Sequence, residues 1–88
     1  MRLDKFLKVS RIIKRRTLAK EVCDNGRVWI NGRVAKASSE TAVGDVLEIR
    51  FGQKLVSFKI EQLKETTRKE DAEQMYSILA EKPVETDE

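Results

Sequence analysis

The sequence contains no histidine. It therefore lacks the side chain best suited to act as a general base near neutral pH. There is one cysteine, Cys23, so an internal disulfide is excluded, and with no histidine to join it a zinc site is excluded too. Cys23 reads most simply as a small core residue in a reducing compartment. No apolar run approaches the ~20 residues that cross a bilayer. Charges break up every hydrophobic stretch near the N-terminus, which is not the pattern of a signal peptide. A cytoplasmic location with no membrane partner is expected. No GxxxxGK phosphate loop occurs, and the acids show no spacing of a metal cluster or an acid–base pair. The expectation is a protein that is not an enzyme and needs no cofactor or metal.

What the chain has in quantity is charge. Charged residues make up 38% and hydrophobic ones 40%, which predicts a thin core under a large solvated or ligand-binding surface. At 88 residues there is material for one domain. The net charge of +3 hides an asymmetry: residues 1–50 carry 12 basic and 6 acidic side chains, and residues 51–88 carry 6 and 9. Asp4 is the lone acid among the first twenty residues. A basic block at one end suggests a polyanionic partner.

Leu3, Phe6 and Leu7 recur at i, i+3 and i+4, opposite Arg2, Lys5 and Lys8. This predicts an amphipathic helix with one face in the core and the other toward anions. Thr17 reads as the N-cap of a second helix running through Asp24. Leu18, Ala19, Val22 and Cys23 would be its buried side, and Gly26 its left-handed cap. The period then changes. Val28 and Ile30 alternate as in a half-buried strand, and Asn31-Gly32 is a two-residue hairpin signal. Leu47, Ile49 and Phe51 form one strand face, and Val56, Phe58 and Ile60 form the next, across a turn at Gly52. The fold class is α+β, short helices packed on a small antiparallel sheet. Ala72, Met75, Tyr76 and Leu79 at i, i+3, i+4 and i+7 predict a C-terminal helix that Pro83 stops. The expected division is a domain over 1–63, a linker and helix over 64–82, and a disordered acidic tail over 83–88.

The segment IKRRTLAK carries the chemistry. Arg15 and Arg16 stand at a helix start, where free N–H groups and the helix dipole favour phosphate. Guanidiniums there can add bidentate contacts. Lys20 lies one turn on. The run could also be no more than a solvated charged turn. Against that stand the basic face of the first helix, Arg27 and Arg33 flanking the hairpin, and Lys36 and Ser38 just after it. Trp29 reads as a core or sheet-surface residue before a base-stacking one. Asn31-Gly32 can serve backbone geometry alone or also touch RNA.

The opening RLDKFL, the RRTLA turn, the Asn25-Gly26-Arg27-Val28 join, the INGR hairpin, the Lys36-x-Ser38 step and Gly44-Asp45 follow in one order and spacing. Together they resemble the S4 RNA-binding domain over residues 1 to about 50. The resemblance implies the S4, or alpha-L, fold. It also implies RNA contacts at Arg2, Lys5, Lys8, Arg11, Arg15, Arg16, Thr17 and Lys20 in the helical part. In the hairpin part they fall at Arg27, Asn31, Gly32, Arg33, Lys36 and Ser38. Asp4 belongs to the same motif and is expected to orient an arginine.

No synthase or synthetase domain follows the S4 part, and the short acidic extension resembles the stand-alone members of bacterial ribosome-associated quality control. That likeness implies binding to an obstructed large ribosomal subunit, with contacts to rRNA and peptidyl-tRNA. It further implies support of C-terminal alanine tailing by a partner factor, from a protein monomeric when free. The alternatives are a general ribosome-assembly or heat-shock factor, a DNA-binding helix-turn-helix module, and the subunit of an enzyme whose active site lies on another chain.

Overall fold

The computed structural model describes residues 1–65 and 68–84. The elements run α1 (Leu3–Val9), α2 (Arg16–Asp24), β1 (Val28–Ile30), β2 (Arg33–Val34), β3 (Val46–Phe51), β4 (Lys54–Ile60), α3 (Lys69–Ala72) and β5 (Tyr76–Pro83). The strands form one antiparallel sheet in the order β2-β1-β3-β4-β5. This is the α+β architecture of helices on a small antiparallel sheet.

Leu3, Phe6 and Leu7 of α1 share one core with Ala19 and Cys23 of α2 and with Val28, Leu47, Ile49, Val56, Phe58 and Ile60 of the sheet. Complete burial of each large side chain contributes roughly 1.5–3 kcal/mol, so this small cluster is the main source of stability. No helix among the described residues is long and apolar enough to cross a membrane.

The start of α1 is held by backbone from far along the chain. A helix leaves its first N–H groups without intrahelical partners. Here Leu3 donates to the carbonyl of Ser39 at 2.8 Å and Asp4 to that of Ala37 at 3.1 Å. Lys5 donates to the Asp4 carboxylate at 2.8 Å. The 35–41 segment is therefore fixed against the N-terminus of α1. Thr41 completes the clasp, donating from both its backbone N–H and its hydroxyl to the carbonyl of Met1.

Helix α2 departs from the sequence expectation at its start. Arg15 is the extended residue before the helix, and no side chain caps it. Thr17 lies inside the first turn instead of at the cap. Leu18, expected on the buried side, is 48% exposed. Ala19 and Cys23, four residues apart, are buried, and Val22 packs partly buried against the same core, as the spacing predicts. Gly26 ends it at φ 71°, in the left-handed conformation. In the β1–β2 turn Asn31 and Gly32 both have positive φ, 51° and 84°, the geometry of a tight hairpin whose twist suits its strands.

The C-terminal part differs most. Helical structure is confined to α3 and a single 3-10 turn over Glu73–Met75, and Tyr76–Pro83 is a strand. The predicted helix over 72–79 is thus replaced by β5, which pairs with β4 along its whole length. The reason is the outer edge of β4. As a helix, residues 76–83 would leave its N–H and C=O groups open; as a strand they satisfy them. Tyr76 also sets its ring edge-on against Phe58, centroids 5.4 Å apart. Pro83 closes the strand opposite Lys54, and Val84 donates to the carbonyl of Gln53, so the chain is still in the sheet where a disordered tail was expected. Residues 66–67 of the expected linker and 85–88 of the expected tail lie outside the described residues.

Candidate nucleic-acid interface

Asp4 is the centre of the basic face. Its side chain is buried, with 4% exposure, while Arg2 and Arg16 beside it are 49% and 48% exposed. Arg2 donates from Nε to Oδ1 at 3.2 Å and from Nη2 to Oδ2 at 3.4 Å. Arg16 crosses over the same carboxylate, with Nη2 3.5 Å from Oδ1 and Nε 3.4 Å from Oδ2. Both guanidiniums therefore converge on one acid, Arg2 as a two-bond fork and Arg16 through one hydrogen bond and an ion-pair contact. Burial, the largest single effect on the Asp4 carboxyl, would raise its pKa. The Arg16 hydrogen bond, the Lys5 N–H and the charges of Arg16 and Arg2 together outweigh it and hold the group below its ordinary value. The acid stays ionised at neutral pH and keeps both arginines as partners.

The chemical consequence is a preorganised anion site. Each guanidinium has five N–H donors in a rigid plane; Arg2 spends two on Asp4, and Arg16 spends one and adds an ion-pair contact through Nε. The remaining donors sit on the half-exposed side. Two cations around one anion leave a net positive charge, and the arginines need little further ordering when an anion arrives.

Around this centre the other expected residues divide. The backbone bonds of Leu3 and Asp4 carry Lys36 and Ser38, both exposed, to the same end of α1 as Arg2. The turn there is set by Ser39, whose hydroxyl accepts from the Lys36 N–H at 2.8 Å. The one sign of Ser39 in the sequence is a hydroxyl three residues after Lys36, the spacing of a local side-chain turn. Arg15, Thr17 and Lys20 lie exposed beside or one turn beyond Arg16 on α2. Lys5 is engaged in an ion pair with Glu65, which lowers the Glu65 carboxyl below its usual value. Lys8 is exposed in the last turn of α1.

Arg11 is elsewhere. It follows the C-terminus of α1, with φ 63°, and borders grooves lined by Tyr76 and the C-terminal segment. Arg27 and Arg33 are exposed on the hairpin side. The amide of Asn31 is committed to the fold: its nitrogen donates to Asp45 at 3.1 Å and its oxygen accepts from the Val46 N–H at 3.0 Å. That leaves one amide N–H and one lone pair of the oxygen for any outside partner. At Gly32 the positive φ is the visible requirement. No group of three or more acids and cysteines able to hold a metal ion occurs among the described residues.

A buried acid that splays two arginines between a short helix pair and the loop after a β-hairpin matches a known domain: the S4 domain profile covers residues 1–47. The chain belongs to the S4 domain family. It is 67% identical over 81 residues to the RQC P-site tRNA stabilizing factor of Bacillus subtilis, a match spanning 92% of this chain and 94% of that one. It is 60% identical, over the full length of both chains, to the protein of the same name from Halalkalibacterium halodurans. Among solved structures it is similar to the trimeric Heat Shock Protein 15 of Vibrio cholerae. The TM-score is 0.83 at 33% identity, over 91% of this chain and 82% of that one.

Proposed function

We propose that this protein binds structured RNA of the translation machinery and stabilises a tRNA in the P site of an obstructed large ribosomal subunit. In this reading it contacts rRNA and peptidyl-tRNA in the cytoplasm without catalysing a reaction. It supports alanine tailing of the stranded chain by a partner factor and is a monomer when free. The observation that carries the reading is the convergence of Arg2 and Arg16 on buried Asp4. It holds guanidiniums ready for phosphate at the junction of α1, α2 and the 35–41 segment. The names of the similar proteins supply the P-site tRNA and the quality-control setting.

Arg2, Arg15, Arg16, Thr17, Lys20, Lys36 and Ser38 form the centre of the proposed contact surface, with Arg27, Arg33 and the Asn31-Gly32 turn on its hairpin side and Lys5 and Lys8 along α1. All lie within residues 1–63, the proposed RNA-gripping unit; residues 68–84 add the last strand of the sheet. Such a surface reads phosphate positions and RNA shape more than base identity. With roughly six or more phosphates engaged, affinity falls by orders of magnitude between low and moderate salt.

A map of crosslinks from this protein to rRNA and tRNA on stalled large subunits tests the reading. Crosslinks from residues 2–20 and 36–38 to both RNAs support it. Crosslinks to rRNA alone, equally strong on particles lacking peptidyl-tRNA, favour the second reading: a ribosome-assembly or heat-shock role without tailing. The likeness to Heat Shock Protein 15 is the observation on that side.

A further inference from the structure

A second concave surface lies at the other end of α1, away from the Asp4 cluster. Two grooves meet there, of 330 Å³ and 390 Å³, sharing Arg11 and Tyr76 in their walls. One runs past Ile12, Phe51 and Ile78 over the sheet, and the other past Lys14, Lys69 and Glu73. Helix α1 is seven residues long, so its two ends, and the two surfaces, stand about 10 Å apart.

The charge of this surface is uneven. Lys54 is paired with Glu81 at 3.6 Å, which neutralises that wall. Arg11, Lys14 and Lys69 have no ion-pair partner among the described residues; Glu73 is the acid lining the second groove with them, Glu81 lines the first with Arg11, and Glu70 and Asp71 follow Lys69 in α3. Tyr76 stands between the grooves with its ring edge-on to Phe58 and only partly covered. Unpaired cations tracking a groove beside an aromatic ring are the recurring chemistry of single-strand recognition, phosphates on the cations and a base on the ring. The volumes lie near the low end of the roughly 300–1,000 Å³ of small-ligand sites, enough for a nucleotide or two and too small for a duplex.

Arg11 adds an independent sign. It occupies a left-handed backbone conformation that costs a non-glycine residue energy, at the position after a helix where glycine is ordinarily found. The bonds that impose this turn are Arg11 N–H to the Lys8 carbonyl and Ile13 N–H to the Leu7 carbonyl, each at 3.0 Å. Glycine would meet the backbone requirement with less strain. What the arginine adds is its side chain, which lines both grooves.

We propose that this groove, between residues 10–14 and the segment 69–78, is a second nucleic-acid contact that takes an unpaired RNA strand. Arg11, Lys14 and Lys69 hold the phosphates and Tyr76 supports a base. This goes beyond the proposed function, because it stands on a surface separate from Arg2 and Arg16 and gives the chain a second site for RNA.

The test is an NMR titration of the full chain with a short oligouridylate, followed through backbone amides. The expected result is shifts at residues 10–14 and 69–78. Lys14→Ala with Lys69→Ala should weaken that binding about tenfold or more and lower the salt slope by roughly one to two. Arg11→Gly should weaken it as well while the melting temperature holds or rises, which separates the guanidinium from the turn. Arg2→Ala with Arg16→Ala should leave the groove shifts in place, so failure of the Asp4 cluster as an RNA site and failure of the groove are read separately. The proposal is overturned if the oligonucleotide shifts only residues around Arg2 and Arg16. It is equally overturned if groove binding is untouched by all three cation substitutions, or if the groove answers only to an acidic peptide added as a control.

Discussion

Arg16 Nε lies 3.4 Å from Oδ2 of Asp4, a residue twelve positions earlier, and the same carboxylate also holds Arg2. The contact ties the first turn of α1 to the first turn of α2. It sets the angle at which two basic elements face solvent. A single buried acid thus converts a cationic stretch into a shaped one.

Asp4→Asn should loosen that shape and cost about 1–2 kcal/mol at neutral pH, less than a fully buried pair because the arginines can turn to water. The pH dependence follows from the lowered Asp4 pKa. Its contribution is complete above the ordinary value of 3.8 and is lost as pH falls through the lower folded-state value. Thermal melts of the wild type should therefore lose more Tm between pH about 5 and about 2 than melts of Asp4→Asn. Parallel curves would mean that the carboxylate adds nothing to the fold.

Cys23 offers a second titration. Burial, helped by the negative charges of Asp4 and Asp24, pushes its thiol up to about 11. The thiolate is the reactive form, so an aromatic disulfide reagent near pH 8 should modify the native protein only as fast as it opens. The rate should rise steeply with denaturant. Immediate stoichiometric reaction in buffer would contradict the buried position.

Asn31→Ala separates architecture from recognition. The substitution removes the bonds to Asp45 and Val46 and puts a β-carbon residue with no local hydrogen bond at φ 51°. A loss of about 1–3 kcal/mol in denaturant unfolding is expected. Unchanged stability with lost RNA affinity would make Asn31 an RNA contact first.

The C-terminal strand is tested by truncation before Tyr76. Phe58 and Ile60 of β4, 5% and 0% exposed, would then face water along the opened edge. Loss of about 3 kcal/mol or more, or roughly 12 °C in Tm, is expected. A segment that merely packs as a separate helix would leave the hydrogen exchange of the β4 amides unchanged.

Much of this was legible where chemistry is local. Leu3, Phe6 and Leu7 mark α1 by spacing, Asn31-Gly32 marks the hairpin because both positions need positive φ, and the alternation at 47–51 and 56–60 marks β3 and β4. Strand β5 was obscured because Ala72, Met75, Tyr76 and Leu79 happen to fit a helical period. The competing alternation of Tyr76, Ile78 and Ala80 is broken by the register shift opposite Ser57 and Phe58, which leaves Leu79 as the extra residue of a bulge. The type of partner was readable from charge. The convergence of Arg2 and Arg16 on Asp4 joins residues brought near by tertiary packing, and no spacing rule gives its geometry. Nor could spacing show that Asn31 is spent inside the fold while Arg11 turns away to the C-terminal grooves.

The most direct measurement of the central claim is co-sedimentation of Arg2→Ala and Arg16→Ala with large ribosomal subunits at fixed salt, read beside their melting curves. Each single variant leaves Asp4 one arginine and the Lys5 N–H, so both should melt near the wild type. Each should lose about ten- to a hundredfold in affinity, the worth of a charge-assisted contact to phosphate, while Lys82→Ala changes little. Variants that melt normally and still sediment fully with the subunit would show that the Asp4-centred surface is not where this protein holds RNA.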